Sequence, residues 1–231
     1  MINYRGLLIP FTQLGKNVTS DNLFDPNEQV IFDFYEANKD RYQRAVDIGA
    51  NIGVHSILMA RLGWQVVAYE PDPVHFKMLC KNLKRNRVKV RAIESAVSCY
   101  DGIAAFTRVV GNTTGSHLLG AKESYGERES FMVRTTACAP LFEWADFVKI
   151  DCEGHEAAII DCVPASAWAR VDAILEVGTE ANARAIYQRL VDVIPMYAQK
   201  IDWQRVCHVS DMPMRHQDGS LFIGKQFTKG A

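Results

Sequence analysis

The sequence predicts an α/β fold, a doubly wound and mostly parallel sheet with helices on both faces. Three observations predict it. From residue 45 onward, short apolar runs of strand length alternate with stretches of helical periodicity. The first run ends in a glycine-rich turn, VDIGANIG (46–53), that opens a helix. An acid, Glu70, closes the second run about 20 residues after that turn.

Each element can be justified in order. Asp25-Pro26-Asn27 reads as the cap and first turn of a helix, and Val30, Ile31, Phe34 and Tyr35 fall on one of its faces. Residues 1–44 are therefore expected to form a helical extension packed on a main domain of residues 45–231. AVDIG (45–49) reads as a buried strand, and VHSILMARLG (54–63) as a helix closed by Gly63. WQVVAYE (64–70) is a second strand. Residues 72–86 form a helix with Val74, Met78, Leu79 and Leu83 on one face, and VKVRAIE (88–94) a third strand. That run is half of a doubly wound sheet. GIAAFTRVV (102–110) and SFMVRTTAC (130–138) read as strands flanking an inserted loop, 111–129. The loop is polar, glycine-rich and aperiodic, as a surface insertion or a binding loop would be. Alternation then returns: FVKIDCE (147–153) as strand, HEAAIIDCV (155–163) as helix, DAILEVG (172–178) as strand, and 182–194 as helix. MYAQKIDW followed by GSLFIGKQF (219–227) reads as a closing antiparallel hairpin.

Composition narrows the function. A chain of 231 residues with 48% hydrophobic content is one domain by default and can fill a core. A formal net charge of −1 makes no electrostatic case for a nucleic-acid or membrane partner. The basic run from Lys81 to Arg91 reads as a solvated helix face and a strand with its long side chains outward. Six cysteines without CxxC spacing argue against a zinc knuckle or a thioredoxin-type site. No signal-like start and no apolar run of spanning length is present, so a reducing, cytoplasmic setting is expected. The NxT triplets at Asn17 and Asn112 are then chance matches.

The glycine turn carries the chemistry. Gly49 and Gly53 remove side chains where the strand turns into the helix, so a ligand can lie against the main chain near free helix N–H groups. A dinucleotide, a mononucleotide or a nucleoside such as an S-adenosyl group would fit. There is no GxxxxGK[ST] phosphate loop. Asn51 replaces the middle glycine of GxGxxG; it would crowd a pyrophosphate but can hydrogen-bond a carboxylate or ammonium. Asp47 at the strand end suits a cationic ligand, or else stabilises the turn. Glu70 suits the vicinal hydroxyls of a ribose.

These residues carry a resemblance. VDIGANIGVHSILMARLGWQVVAYEPDP resembles the cofactor segment of class I S-adenosylmethionine-dependent methyltransferases. VKIDCEGHEAAII (148–160), with AVSCYDG (96–102) upstream, resembles the FkbM family of methyltransferases over roughly residues 45–225. The resemblance implies a Rossmann-like sheet of seven strands with an antiparallel C-terminal strand. It also implies S-adenosyl-L-methionine as cofactor and O-methylation of a hydroxyl on a sugar, glycan or natural product. Asp47, Gly49, Asn51 and Gly53 would surround the amino-acid end of the cofactor and Glu70 its ribose. Glu94, Ser95 and Ala96 would lie along the adenine. Asp151 and Glu153 would face the methyl group and the acceptor. His155 stands where a small or apolar residue is expected.

Methyl transfer needs an aligned acceptor and a base for its proton. Asp151, Glu153 and His155 are the candidates, with Asp151 first because the strand end delivers it to the cleft. Glu153 and Glu156 also suit a helix start electrostatically. His117 is read as a solvated loop histidine, and Glu176 as lining an acceptor pocket or capping the next segment. Asp151 and Glu153 offer no clear third ligand, so no metal is expected. Two other readings remain at this stage. One is an NAD-dependent oxidoreductase, which the missing middle glycine opposes. The other is a non-catalytic protein on the same scaffold. The partner is expected to be a small-molecule or glycan acceptor. Oligomeric state is not legible.

Overall fold

The computed structural model of the chain describes residues 2–16, 18–121, 126–199, 203–215 and 218–228. Asn17, part of the inserted loop and residues 200–202 of the expected hairpin strand lie outside the described residues.

The chain opens with a hairpin, β1 (Ile2–Tyr4) and β2 (Leu7–Ile9), and then α1 (Pro26–Ala37). Asp25 caps α1 by accepting the N–H groups of Asn27 and Glu28, and Pro26 occupies the first turn, where its missing N–H costs nothing. The N-terminal segment is thus more than a helix. Leu7, Ile9, Ile31, Phe32, Phe34 and Tyr35 are buried in the same apolar cluster as residues of the sheet.

The alternating half follows: β3 (Arg44–Ile48), α2 (Val54–Arg61), β4 (Gln65–Tyr69), α3 (Pro73–Asn86) and β5 (Val90–Ile93). Next come β6 (Ala96–Ser98), β7 (Gly102–Val109), β8 (His117–Leu118), β9 (Arg128–Ala137) and α4 (Ala139–Trp144). The chain re-enters the main sheet at β10 (Phe147–Ile150), continues through α5 (Glu156–Cys162), β11 (Asp172–Glu176) and α6 (Glu180–Leu190), and ends with β12 (Met196–Ala198), β13 (Gln204–Arg205) and β14 (Ser220–Ile223).

The main sheet has the order β13-β12-β14-β11-β10-β3-β4-β5. β11, β10, β3, β4 and β5 run parallel, and β14 is antiparallel to both β11 and β12. This is the expected Rossmann-like architecture, with one strand more among the described residues than the expected seven, because β13 adds to the edge. Period-two alternation divides its two faces. Ala45, Phe147 and Phe222 join the cluster containing residues of α1, α2 and α3, whereas Val46, Val148 and Ile223 join that of α4, α5 and α6.

β3 leads outward to β4 and β5, and the chain then returns to β10 on the other side of β3. The strand order reverses there, which opens a crevice beyond the carboxyl ends of β3 and β10. The expected strands 102–110 and 130–138 do form, but they pair with each other outside the main sheet. They belong to a second, four-stranded sheet, β6-β9-β7-β8. The intervening loop supplies a 3-10 turn (Thr113–Gly115) and β8.

Cys99, in the turn after β6, is disulfide-bonded to Cys162 at the end of α5. Their Cα atoms stand 5.6 Å apart, within bridging distance. This runs against the reducing setting expected from sequence, where thiols stay unpaired. Among the described residues no helix is long and apolar enough to cross a membrane.

Candidate active site

Two adjoining clefts occupy the crevice. One is lined by Gly49, Asn51, Glu70, Ser95, Ala96 and Asp151, and by Phe106 and Leu118 of the second sheet. It encloses about 580 Å³ of space, part of it open to solvent. The other is lined by Asp25 and Glu28 at the start of α1, by Glu176, and by Asn112 and Gly115 of the inserted loop. Asn51, Thr114, Asp151 and Glu153 line both.

The glycine turn does its work differently from the sequence expectation. Gly49 has φ +77°, and a Cβ there would lie 1.7 Å from the Asp151 carbonyl oxygen. Gly53 has φ +96°, and its Cβ would meet Leu79 of α3 at 2.5 Å. Both glycines therefore serve close packing of backbone on backbone and helix on helix. Gly49 lines the cleft as well, whereas Gly53 is not among its lining residues. Gly49→Ala combines a left-handed φ with a collision against main chain, so it is expected to cost roughly 3 kcal/mol or more. Chemical denaturation would check this; a loss below about 1 kcal/mol would show that the strand ends can separate.

Glu70 sits at the base of the first cleft, 5% exposed. One carboxylate oxygen accepts the Asn51 N–H at 2.8 Å and the other the Asp72 N–H at 2.8 Å. Burial pushes its pKa up to about 8, against the two N–H donors, with the charges of Asp72 and Asp151 adding to the rise. Asn51 adopts φ +52°, which turns its N–H onto Glu70 and leaves its buried Oδ1 without a hydrogen-bond partner.

Asp47 is fully buried and is not a cleft-lining residue. It accepts a hydrogen bond from Ser56 and lies 3.9 Å from the Lys149 ammonium. The strand end faces it toward Ser56 of α2 and toward Lys149. Lys149 also holds Asp151, at 3.0 Å. Burial would lower the pKa of Lys149, but Asp151, Asp47 and Glu28 outweigh it and hold the amine above the ordinary lysine value.

Of the three residues after β5, Ser95 and Ala96 line the cleft while Glu94 faces a separate groove beside Pro71 and Met132. Ser95 is held by the Arg134 carbonyl and the Thr136 hydroxyl of β9. His155 lies outside both clefts. Its Nε2 meets the Ser98 hydroxyl at 3.1 Å, and burial lowers its pKa. It is therefore placed against β6 and not against an acceptor. Glu156 is not a surface acid of the helix dipole. It is 1% exposed and accepts the N–H groups of Cys152 and Gly154 and an amide N–H of Asn182, tying the Glu153-Gly154 turn to α5 and α6. His117 is also not solvated; it is 1% exposed, with Nδ1 3.0 Å from the Gly115 carbonyl.

Several site residues escaped sequence reasoning. Lys149 carried a signal, a lone lysine in a strand with both faces covered. Asp72 caps α3 and takes a two-pronged hydrogen bond from Arg108 of β7, at 2.6 and 2.7 Å. His75 meets the Thr113 hydroxyl at 2.9 Å. These contacts fasten the second sheet over one end of the first cleft. They carried no local signal, because the partners are more than 30 residues apart. Among the described residues no cluster of metal-binding side chains occurs.

Similar solved structures include a 16S rRNA N2 G1207 methyltransferase of Thermus thermophilus (15% identity, TM-score 0.48, 90% of this chain and 45% of that one). They also include a precorrin-6y C5,15-methyltransferase of Geobacter metallireducens (15%, TM-score 0.46, 92% and 96%). A third is an O-methyltransferase of Bacillus cereus in complex with SAH (15%, TM-score 0.47, 89% and 86%). This chain thus spans under half of the rRNA enzyme's length. No curated protein matches the sequence. Residues 47–194, well over half of the chain, match the methyltransferase FkbM domain. The chain belongs to the FkbM family of methyltransferases; it is a methyltransferase enzyme, and membership implies S-adenosyl-L-methionine as its methyl donor.

Proposed function

We propose that the enzyme methylates a hydroxyl group of a sugar, glycan or other polyhydroxylated natural product, using S-adenosyl-L-methionine bound in the first cleft. The observation that carries this reading is the shared wall. Asn51, Asp151 and Glu153 line both the cleft containing Glu70 and the neighbouring carboxylate-lined pocket.

The residues fit the donor. Glu70 retains lone pairs for two ribose hydroxyls, since each oxygen is occupied by one N–H. The unpartnered Asn51 Oδ1 suits the ammonium of the amino-acid end. Ser95, Ala96, Phe106 and Leu118 would enclose the base. Bound there, the donor would supply an electrophilic methyl group on a sulfonium. Asp151 and Glu153 would hold the acceptor hydroxyl in line with it. Asp151 would take the proton that the hydroxyl gives up on methylation. The protonated ether is a far stronger acid than a carboxylic acid, so a carboxylate suffices as base. Asp25, Glu28 and Glu176 would accept hydrogen bonds from further hydroxyls of the acceptor. A polyanionic acceptor does not fit this wall.

The test is calorimetric titration with S-adenosylhomocysteine, with NAD as control, in buffers of different ionisation enthalpy. Micromolar binding of the first alone is expected. A carboxylate with a pKa of about 8 is mostly protonated at pH 7, and a diol selects its ionised form. Binding at pH 7 should therefore release close to one proton, tighten as pH rises toward 8, and release none above about pH 9. Binding of NAD in preference, or no proton release at pH 7, would overturn the assignment.

A further inference from the structure

We propose that Lys149 is a positioning residue that keeps the Asp151 carboxylate ionised and aimed at the junction of the two clefts. The inference rests on the reading of Asp151 as the group that faces the acceptor.

The geometry follows from strand pairing. β10 and β3 are parallel neighbours, and Lys149 stands opposite Asp47 in the register. Asp151 is two residues further along the chain, on the same side. The Lys149 ammonium thus lies between two carboxylates, 3.0 Å from Asp151 and 3.9 Å from Asp47, with its side chain 6% exposed.

The surroundings make a cation necessary. Asp47 faces this pair from β3, Glu28 and Tyr35 from α1, Glu70 from the end of β4, and Cys152 and Glu156 from the start of α5. All of these are acids or neutral hydroxyl and thiol groups; the one further titratable neighbour among the described residues, His55 of α2, is engaged by Glu28 at 2.9 Å and by the Tyr35 hydroxyl at 2.9 Å. Carboxylates crowded out of water raise one another's proton affinity until one takes up a proton. A protonated Asp151 could not accept a proton from a hydroxyl. Lys149 removes that outcome, and its hydrogen bond occupies one oxygen of the Asp151 carboxylate. It touches neither cleft, being absent from both linings, and so acts through Asp151.

The experiment uses the full chain labelled with 13C at the aspartate side-chain carboxyls. The Asp151 resonance is assigned by its loss in Asp151→Asn. In the ligand-free wild type it should show no titration between pH 5 and 8. In Lys149→Met the proton affinity of Asp151 should rise at least tenfold and bring its titration into that window, and Lys149→Arg should restore the wild-type curve. A Lys149→Met curve that superimposes on the wild type overturns the proposal. If Lys149→Met does not melt cooperatively, Lys149→Met/Asp47→Asn, which removes one charge of each sign, takes its place under the same criterion.

Titration of each folded variant with S-adenosylhomocysteine and S-adenosylmethionine supplies the functional arm. The ratio of sulfonium to thioether affinity should fall about tenfold relative to the wild type at pH 6 in Lys149→Met and recover at pH 8. A preference that does not change with pH in that variant also overturns the proposal. Failure of the wild type to bind S-adenosylhomocysteine would instead sink the cofactor assignment and leave the Asp151 titration standing.

Discussion

Replacing Glu70 with Gln is expected to weaken S-adenosylhomocysteine binding by about 100- to 1,000-fold while leaving the protein folded. Two hydrogen bonds from the ribose hydroxyls to a carboxylate are at stake, each worth roughly 1.5–3 kcal/mol. Gln can offer one acceptor oxygen to a site that already presents two N–H donors, from Asn51 and Asp72. One of those N–H groups then loses its partner, at a cost of about 1–3 kcal/mol. Relief of a buried acid offsets it. The sign is worth following. The folded-state pKa of Glu70, about 8, lies above its ordinary value of 4.5, because burial penalises the charged form. Stability from this group is thus fully present below about pH 4.5 and is lost as pH rises through about 8. The wild type should lose melting temperature relative to Glu70→Gln across that interval. Calorimetric titration and melting curves at pH 5 and pH 8.5 check both statements. Unchanged affinity in the variant would remove Glu70 from the ribose site.

Opening the Cys99–Cys162 bond is expected to cost about 4 kcal/mol of stability. The two residues are 63 apart in sequence, and closing a loop of that length removes chain entropy from the unfolded state. For a chain of this size the melting temperature should fall by about 8–16 °C on reduction. The structural consequence is local as well. The bond ties the turn after β6 to α5, and α5 carries Glu156, which holds the N–H groups of Cys152 and Gly154 beside Asp151. Melting with and without a dithiol reductant measures the effect, with Cys99→Ser/Cys162→Ser as the variant that should not respond. A gain of two free thiols with no change in melting would refute it.

Much of the fold was legible from local pattern. The boundaries of β3, α2, α3 and α5 fall within a few residues of those read from periodicity, because strands covered on both faces must be apolar and helices between them must repeat every 3.6 residues. The Asp25 cap follows from the side-chain chemistry of helix starts. The second sheet was only half legible. Its long strands β7 and β9 were visible as apolar runs, but nothing local says whether a strand joins the main sheet or pairs with its neighbour. The hairpin β1–β2 was missed because three-residue strands carry too little pattern to be distinguished from loop.

By itself the sequence determined the α/β alternation, the glycine turn at 49–53, the acid at Glu70 and the placing of Asp151 at the end of the fourth strand, which it read as running on to residue 153 and which stops at Ile150. All of these are properties of short contiguous stretches, and local sterics and periodicity act on such stretches directly. Tertiary structure alone decided what those residues face. It turned Asp47 into the core beside Lys149, moved His155 against Ser98, buried His117, joined Cys99 to Cys162 and brought Glu28 from the N-terminal helix to the wall of the second pocket. Each of these depends on strand register or helix docking between distant segments, and a shift of one residue in register would turn every side chain of a strand to its opposite face.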